Sequence, residues 1–509
     1  MSDSLSLPES YSARQWFGLV AGPLAFLALL ALAPPEGAVA AKGALGAAAM
    51  RVAAVAALMA CWWICEPVPV YATALIPLVA FPLLGIADMR VAAAPYANPT
   101  IFLFMGGFMI ALAMQRWGLH RRMALGILSW TGTGPRQLVG GILAATVLMS
   151  MWINNTSTTL MMLPIAISIL TLMRAGHADD GARRFETALV LAVAYGASIG
   201  GVATLIGTAP NALLAAFIQQ TYGYTVSFAA WMMVGVPVSL VIAALLWVLL
   251  VRVLYPLSTV PIPGAVELLA AERAQLGPMS PGEKVVAVAF PTAALLWMAQ
   301  PLLASAVPAL KLSDAGIAMT VALALFVVPV DLKRGVFALD WEWANKLPWG
   351  LLVLFGGGLS LADAAGASGL AEWIGTGMTG WSAVPIWLLI VAFVVVIVFL
   401  SEIASNTAVA ATLLPVLATA ALAMGQSPLL FCIAGAMAAS GGFMLPVATP
   451  PNAIAFGSGH VTAAQMVRAG FWLDLVWVLV VGLGVLVLLP LAFDVSYGVV
   501  PEWATKAKL

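Results

Sequence analysis

Two stretches of this chain, 137–173 and 384–424, stay apolar for much longer than one membrane span requires, and each has a polar centre. A transmembrane helix uses ~20 predominantly apolar residues. The first stretch holds SMWINNTSTT (150–159) and the second holds SEIASNT (401–407). Backbone that is not helical at membrane depth survives only inside protein or against a watery cavity. Any fold for this chain must therefore provide such a place twice.

The rest of the sequence is that of an integral membrane protein. Its 509 residues are 63% hydrophobic and 8% charged. Further apolar runs of spanning length lie near 16–33, 48–66, 68–87, 99–116, 187–220, 227–255, 285–305, 313–331, 349–371, 429–459 and 469–493. No extramembrane segment exceeds roughly thirty residues, which leaves no room for a soluble catalytic domain. The formal net charge is zero, so nothing in the bulk electrostatics favours nucleic acid. Cys61, Cys65 and Cys432 form no disulfide or metal framework, and Cys61 and Cys65 share a helix face as apolar packing groups. The N-terminal MSDSLSLPESYSARQW lacks the layout of a signal peptide, so the first apolar run reads as a retained helix. His120, His177 and His460 fall near expected loops and form no metal cluster or triad.

Internal similarity sharpens this reading. LFMGGFMIALAMQRWGL (103–119) aligns with LFGGGLSLADAAGASGL (354–370) at an offset of 251, which also carries Ser150 onto Ser401, Asn155 onto Asn406 and Thr156 onto Thr407. GGVATLIGTAPNA (200–212) then aligns with GGFMLPVATPPNA (441–453) at an offset of 241. The ten-residue difference matches the polar loop at 175–186, which the second half lacks.

Basic residues orient the two copies. Arg116, Arg121, Arg122 and Arg136 precede the first polar stretch, and Arg174, Arg183 and Arg184 follow it, which marks both ends as cytoplasmic. The segment must therefore enter and return as a re-entrant hairpin. No Lys or Arg occurs between Lys346 and Arg468, so the second hairpin opens on the other side. The expectation is an all-α membrane fold of about eleven transmembrane helices plus two re-entrant hairpins, arranged as an inverted repeat. Its N-terminus is cytoplasmic and its C-terminus extracytoplasmic, with Lys42, Arg51, Arg90, Lys311, Lys506 and Lys508 facing outward.

Inverted repeats with broken helices are the usual architecture of secondary transporters, with the site near the midplane. The expected breaks are the hairpin tips 154–156 and 405–407 and the proline-interrupted runs 207–211 and 448–452. Such breaks expose half-helix N-termini that favour anions and carbonyls that suit a hard cation. Asn and Thr serve both, through oxygen for sodium and N–H or O–H donors for an anion. A lone Asn or Thr in a membrane helix usually packs or bonds a neighbouring helix, but two matching clusters at two hairpin tips argue for a site. Glu66, Asp363 and Glu402 are intramembrane or near-interface acids, for which ion pairing and a functional role weigh equally. No acid, base, nucleophile and metal set suggests an enzyme, and paired breaks at one depth argue against the continuous polar stripe of a channel.

CWWICEPVPVYATALIP (61–77), SMWINNTSTTLMMLP (150–164), GGVATLIGTAPNA (200–212), SEIASNTAVAATLLP (401–415) and ATPPNA (448–453) together resemble the divalent anion/sodium symporters, which carry dicarboxylates, citrate or sulfate. That resemblance implies an elevator-type homodimer in the plasma (inner) membrane, in contact with lipid, with about two sodium sites and no organic cofactor. It divides the chain into scaffold helices over 1–136 (the first repeat beginning near 68) and a first transport half over 137–255. A linker and second scaffold half over 256–371 and a second transport half over 372–509 follow. The first sodium site would use Ser150, Asn154, Asn155 and the Gly207 carbonyl; the second would use Ser401, Asn406 and the Ala404 and Ala448 carbonyls. The anion would meet Asn155, Thr156 and Thr208 from one half, and Ser405, Asn406, Thr407, Thr449 and Pro450 from the other. Asn154 stands where the family's motif has Ser, and Ala209 where it has Pro. The motifs hold no Lys, Arg or His to replace a coupling ion. The expected activity is sodium-coupled import of a C4-dicarboxylate such as succinate; the alternatives are symport of sulfate or another anion, or sodium-independent dicarboxylate exchange.

Overall fold

The computed structural model describes residues 11–35, 44–174 and 180–505. Lys42, His177, Lys506 and Lys508, and the 175–179 part of the polar loop, lie outside them.

The N-terminal helices are α1 (Ala13–Ala31) and α2 (Ala47–Cys65), which pack along one another. Cys61 and Cys65 sit at this contact as free thiols; Cys61 Sγ lies 3.8 Å from the Gly18 carbonyl. The sequence expects an unbroken run over 68–87. Instead, Glu66 caps α2 in the left-handed conformation (φ 51°), and Pro67 and Pro69 prevent the helix from resuming. The chain continues as α3 (Val70–Thr73), α4 (Ile76–Leu83) and α5 (Met89–Ala93), the last capped by Asp88.

Next come α6 (Pro99–Trp117) and α7 (Leu119–Thr131). The first long stretch is a helix–break–helix: α8 (Pro135–Ser150) and α9 (Asn155–Arg174) pack against each other around the gap at 151–154. The run near 187–220 is also broken, into α10 (Asp180–Gly201) and α11 (Ala209–Tyr222). α12 (Phe228–Val248) runs into a π-helical turn at Leu249–Leu254.

The connection to the second half carries α13 (Ala265–Gln275). α14 (Pro281–Ala306) and α15 (Asp314–Val327) follow. The run expected to reach 331 stops at Val327. Residues Pro329–Asp331 (β1) and Val336–Phe337 (β2) instead form a small antiparallel hairpin turned by Gly335 at φ 66°. After α16 (Trp341–Ala344) come α17 (Trp349–Ala367) and α18 (Leu370–Met378). The second long stretch breaks in the same way as the first, into α19 (Ile386–Ile403) and α20 (Asn406–Ala423). α21 (Pro428–Ala438), α22 (Pro450–Gly457), α23 (Ala463–Phe493) and α24 (Glu502–Thr505) complete the chain.

The same order of elements thus occurs twice, in α6–α12 and in α17–α23. Among the described residues, nine helices are long and apolar enough to cross a membrane, and four shorter apolar helices accompany them. Both α19 and α20 are among the nine by length and composition. The two halves interlock: α11 packs on α20 and α21, and α22 packs on α9 and α10. Charge gathers at the ends of the first half. Arg116 pairs with Asp340 at 2.6 Å, Arg121 with Glu272 at 2.7 Å and Arg122 with Glu283 at 2.5 Å, which ties α6 and α7 to α13, α14 and the segment before α16.

Candidate binding site

Four breaks meet at one cavity of about 550 Å³. α9 begins at Asn155, α11 at Ala209, α20 at Asn406 and α22 at Pro450, and all four of these residues line it. Each helix start leaves backbone N–H groups without intrahelical partners and carries the positive end of the helix dipole. Four such ends around one space supply N–H donors of the kind that suit an anion, with no fixed cation in the motifs.

The cavity lining includes all eight residues assigned to the anion: Asn155, Thr156, Thr208, Ser405, Asn406, Thr407, Thr449 and Pro450. It also includes Asn154, Gly207, Ala404 and Ala448 of the two sodium sets. Ser150 and Ser401 do not line it; both are fully buried one turn behind the tips.

The two tips differ in their hydrogen bonds. In the first, Ser150 Oγ donates to Asn155 Oδ1 at 2.8 Å, and Asn154 Oδ1 accepts from the Ser157 amide at 2.8 Å. Asn154 is therefore the N-cap of α9, a role in which Asn and Ser are near equals. One lone pair of its side-chain oxygen is engaged with the helix, as one of Asn155 Oδ1 is with Ser150. In the second tip, Ser405 makes no side-chain capping bond. Ser401 Oγ and Asn406 Oδ1 are buried with no partner among the described residues. Two orphaned oxygens one turn apart suit a hard cation, which takes oxygen donors. Not every hydroxyl of the first tip is free for a ligand: Thr159 donates to the Asn155 carbonyl at 2.8 Å, and Thr158 is likewise buried against Ile153.

The unwound loops have a second anchor that the sequence reading missed. Asn211 Nδ2 reaches back to the carbonyls of Thr204 (2.8 Å), Gly201 (3.3 Å) and Val202 (3.4 Å). Asn452 Nδ2 does the same to Leu445 (3.0 Å) and Gly442 (3.2 Å). Both side chains are fully buried. The signal was present as the repeated PNA at the end of both aligned blocks, ten residues beyond Gly201 and Gly442. Thr449 caps α22 by accepting the Asn452 amide at 3.3 Å, whereas Thr208 makes no such bond and keeps its hydroxyl free.

Three further polar cavity residues come from outside the tips and unwound loops: Arg14 on α1, and, within the 61–77 motif, Glu66 at the end of α2 and Tyr71 on α3. The Arg14 guanidinium donates to the Ile403 carbonyl at the second tip. The motifs contain no cation, as the sequence indicates, but the fold brings one to the edge of the cavity. Of the other acids, Asp363 accepts from Gln220 Nε2 at 2.8 Å and is away from the cavity, and Glu402 lies buried behind the second tip.

Broken helices paired across two matching halves, with oxygen-rich tips around one cavity, define a polytopic carrier rather than an enzyme. The particular family follows from comparison with known proteins. Residues 14–492 match the family described as the sodium:sulfate symporter transmembrane region. The sodium-dependent dicarboxylate transporter SdcS of Staphylococcus saprophyticus is 38% identical over 496 residues, which cover 96% of this chain and 94% of that protein. SdcS of Staphylococcus aureus is 38% identical over 494 residues, with the same coverage. The chain belongs to this symporter family. Two solved structures share the fold at low identity. The Neisseria gonorrhoeae MtrF structure has a TM-score of 0.60 at 15% identity and covers 95% of this chain and 96% of its own. The Alcanivorax borkumensis YdaH transporter has a TM-score of 0.55 at 16% identity and covers 94% and 98%.

Proposed function

We propose that this protein imports a small divalent organic anion, most simply a C4-dicarboxylate such as succinate, together with sodium. The observation that carries the reading is the cavity itself. Matched Asn and Thr groups from both repeats and four helix N-termini line one space of about 550 Å³. Its size lies within the range usual for small-ligand sites. The names of the 38% identical relatives, sodium-dependent dicarboxylate transporters, support the substrate class.

The coupling has a physical basis. A permanently charged Lys or Arg among the tips would bind the anion but would stay charged after release, at a cost of roughly 2.5–3.5 kcal/mol in the membrane centre. Sodium held by tip oxygens supplies the same charge and leaves with the substrate. On this reading, the second site uses Ser401, Asn406 and the Ala404 and Ala448 carbonyls. The first uses Ser150, Asn155 and the Gly207 carbonyl, with Asn154 shaping the tip from its capping position. The two hairpins are re-entrant and open on opposite faces of the plasma membrane. The halves 137–255 and 372–509 carry the site as an elevator past scaffolds 1–136 and 256–371 in a homodimer.

The test is uptake of labelled succinate into proteoliposomes, with competition by malate, citrate, sulfate and taurine, in sodium and in choline. Saturable uptake that needs sodium is expected. Uptake unchanged in choline removes the coupling, and competition by sulfate alone removes the dicarboxylate assignment. Asn155→Ala and Asn406→Ala are each expected to abolish uptake without loss of folded protein. Normal transport by both variants would refute the site.

A further inference from the structure

The two sodium sites of the proposed carrier are built from matching tips, but the structure behind them is not matched. Behind the second tip, Glu402 turns its carboxylate onto three consecutive backbone amides of the unwound loop. Oε1 accepts from Phe443 at 2.5 Å and Met444 at 2.8 Å, and Oε2 accepts from Leu445 at 2.9 Å. Asp474 on α23 faces it, carboxyl to carboxyl. Both Asp474 oxygens lack any other donor among the described residues, and Glu402 and Asp474 are 2% and 0% exposed. Three amide donors on one carboxylate favour its ionised form, so a buried negative charge sits behind the second tip. Among the described residues, no Lys, Arg or His pairs with either acid. A further titratable group beside the acids, Tyr195, spends its hydroxyl on the Met466 carbonyl at 3.1 Å.

The first half offers the comparison. At the 251-residue offset Glu402 corresponds to Met151. Asp474 corresponds to Ser239, because Gly235 and Gly470 close in the same way on their respective loops. A Cβ on Gly235 would strike the Val202 and Ala203 carbonyls, and one on Gly470 would strike Phe443 and Met444 backbone. Ser239 simply donates to the Ile199 carbonyl at 2.9 Å. Loop 202–204 thus meets the Met151 carbonyl, which accepts from Thr204, and the Ser239 hydroxyl, where loop 443–445 meets a carboxylate.

We propose that Glu402, with Asp474 beside it, makes the second cation site the tighter of the two and the first to fill. Glu402 is a positioning residue. It gathers the loop's N–H groups, whose positive ends would otherwise oppose a cation, and it adds one negative charge adjacent to Ser401. A buried charge with no side-chain counterion is costly. A sodium ion among the orphaned Ser401 Oγ, Asn406 Oδ1 and the Ala448 carbonyl offsets that cost, whereas sodium at the first site gains nothing comparable. The order then follows from electrostatics: sodium enters the second site, draws in its half of the binding loop, and the neutral first site completes with the anion.

This inference rests on the sodium-coupled reading. Its test is the sodium dependence of thermal unfolding of the purified full-length protein without substrate, alongside sodium activation of succinate uptake. Glu402→Gln/Asp474→Asn removes the charge with nearly unchanged shape, and is expected to raise the half-saturating sodium concentration about tenfold or more. The succinate KM at saturating sodium should shift much less, which a general loss of structure would not produce. Asp474→Asn alone keeps the one charge on Glu402 and should shift half-saturation by no more than about twofold. Equal sodium curves for the double variant and the unaltered protein would overturn the proposal, as would a tenfold shift from Asp474→Asn alone should the double variant fail to fold. Sodium-independent unfolding and uptake of the unaltered protein would instead defeat the coupled reading itself.

Discussion

Gly207→Ala tests whether the first loop is as tight as its geometry implies. A Cβ at Gly207 would sit 2.4 Å from the Gly201 carbonyl oxygen and 3.0 Å from that residue's Cα and carbonyl carbon. Ordinary contacts begin nearly an ångström further out, and the obstacle is backbone, which does not rotate away. Gly201 is itself pinned. Asn211 holds its carbonyl at 3.3 Å, and the Asn155 amide lies 2.4 Å from where its own Cβ would stand. The loop therefore has to open, carrying the Gly207 carbonyl or Asn155 out of place. Overpacking of this kind costs about 1–3 kcal/mol. If the cost falls wholly on the sodium-bound state, sodium half-saturation rises about 5- to 150-fold; if it falls on the fold, the melting temperature drops with or without sodium. Sodium-activation curves in proteoliposomes and thermal unfolding in detergent separate the two. The equivalent second-half position already carries Ala448, so Ala448→Gly should be the mild change of the pair. A Gly207→Ala variant with unaltered melting and sodium activation would refute the close-approach argument.

Asn452→Ala leaves the Gly442 and Leu445 carbonyls buried without their donor, and should lower stability by about 2–4 kcal/mol, read as a fall in unfolding temperature together with weaker sodium stabilisation. Asn154→Ser should keep the α9 cap and change stability by less than about 0.5 kcal/mol, while Asn154→Ala should lose about 1 kcal/mol, both measured by denaturant unfolding. Asn98 Nδ2 donates to Gln220 Oε1 at 2.8 Å, and Gln220 in turn donates to Asp363, a polar chain joining α6 and α17 to α11. If α11 moves with the site as an elevator, a disulfide between Asn98→Cys and Gln220→Cys should stop transport until it is reduced; transport that continues through the cross-link would refute movement at this contact.

The breaks were legible because they occur twice. One offset placed Ser150, Asn155 and Thr156 on Ser401, Asn406 and Thr407, and the structure starts α9 and α20 at those very asparagines. Proline made the other two breaks readable, since Pro210 and Pro450 sit at the first turns of α11 and α22. Hydropathy was a poorer guide to where helices stop. The run over 68–87 is divided into α3 and α4 with a break at 74–75, and the run over 313–331 gives way to a hairpin. Arg14 was invisible as a site residue because nothing in the sequence near it resembles the motifs. Its contact with Ile403 joins residues 389 positions apart and exists only once α1 lies beside the second tip. Asn154 was noticed for its identity, but its use as a cap depended on the backbone turning at 151–154.

A repeated sequence does not mean that the two halves contribute equally. The tips are matched in residue type, yet the first arrives with its oxygens already bonded, Ser150 to Asn155 and Asn154 to the α9 amide, while the second leaves Ser401 and Asn406 unpartnered. The first tip is therefore satisfied when empty, and the second has unmet hydrogen-bonding capacity as well as the buried acid pair behind it. Both differences act in the same direction: under the proposed coupling, a cation gains more at the second tip than at the first. A carrier that must not move while partly loaded benefits from such inequality, because one site can act as the entry and the other as the check. On the proposed reading, duplication supplied two similar tips, and the divergence at Met151/Glu402 and Ser239/Asp474 gives them separate roles.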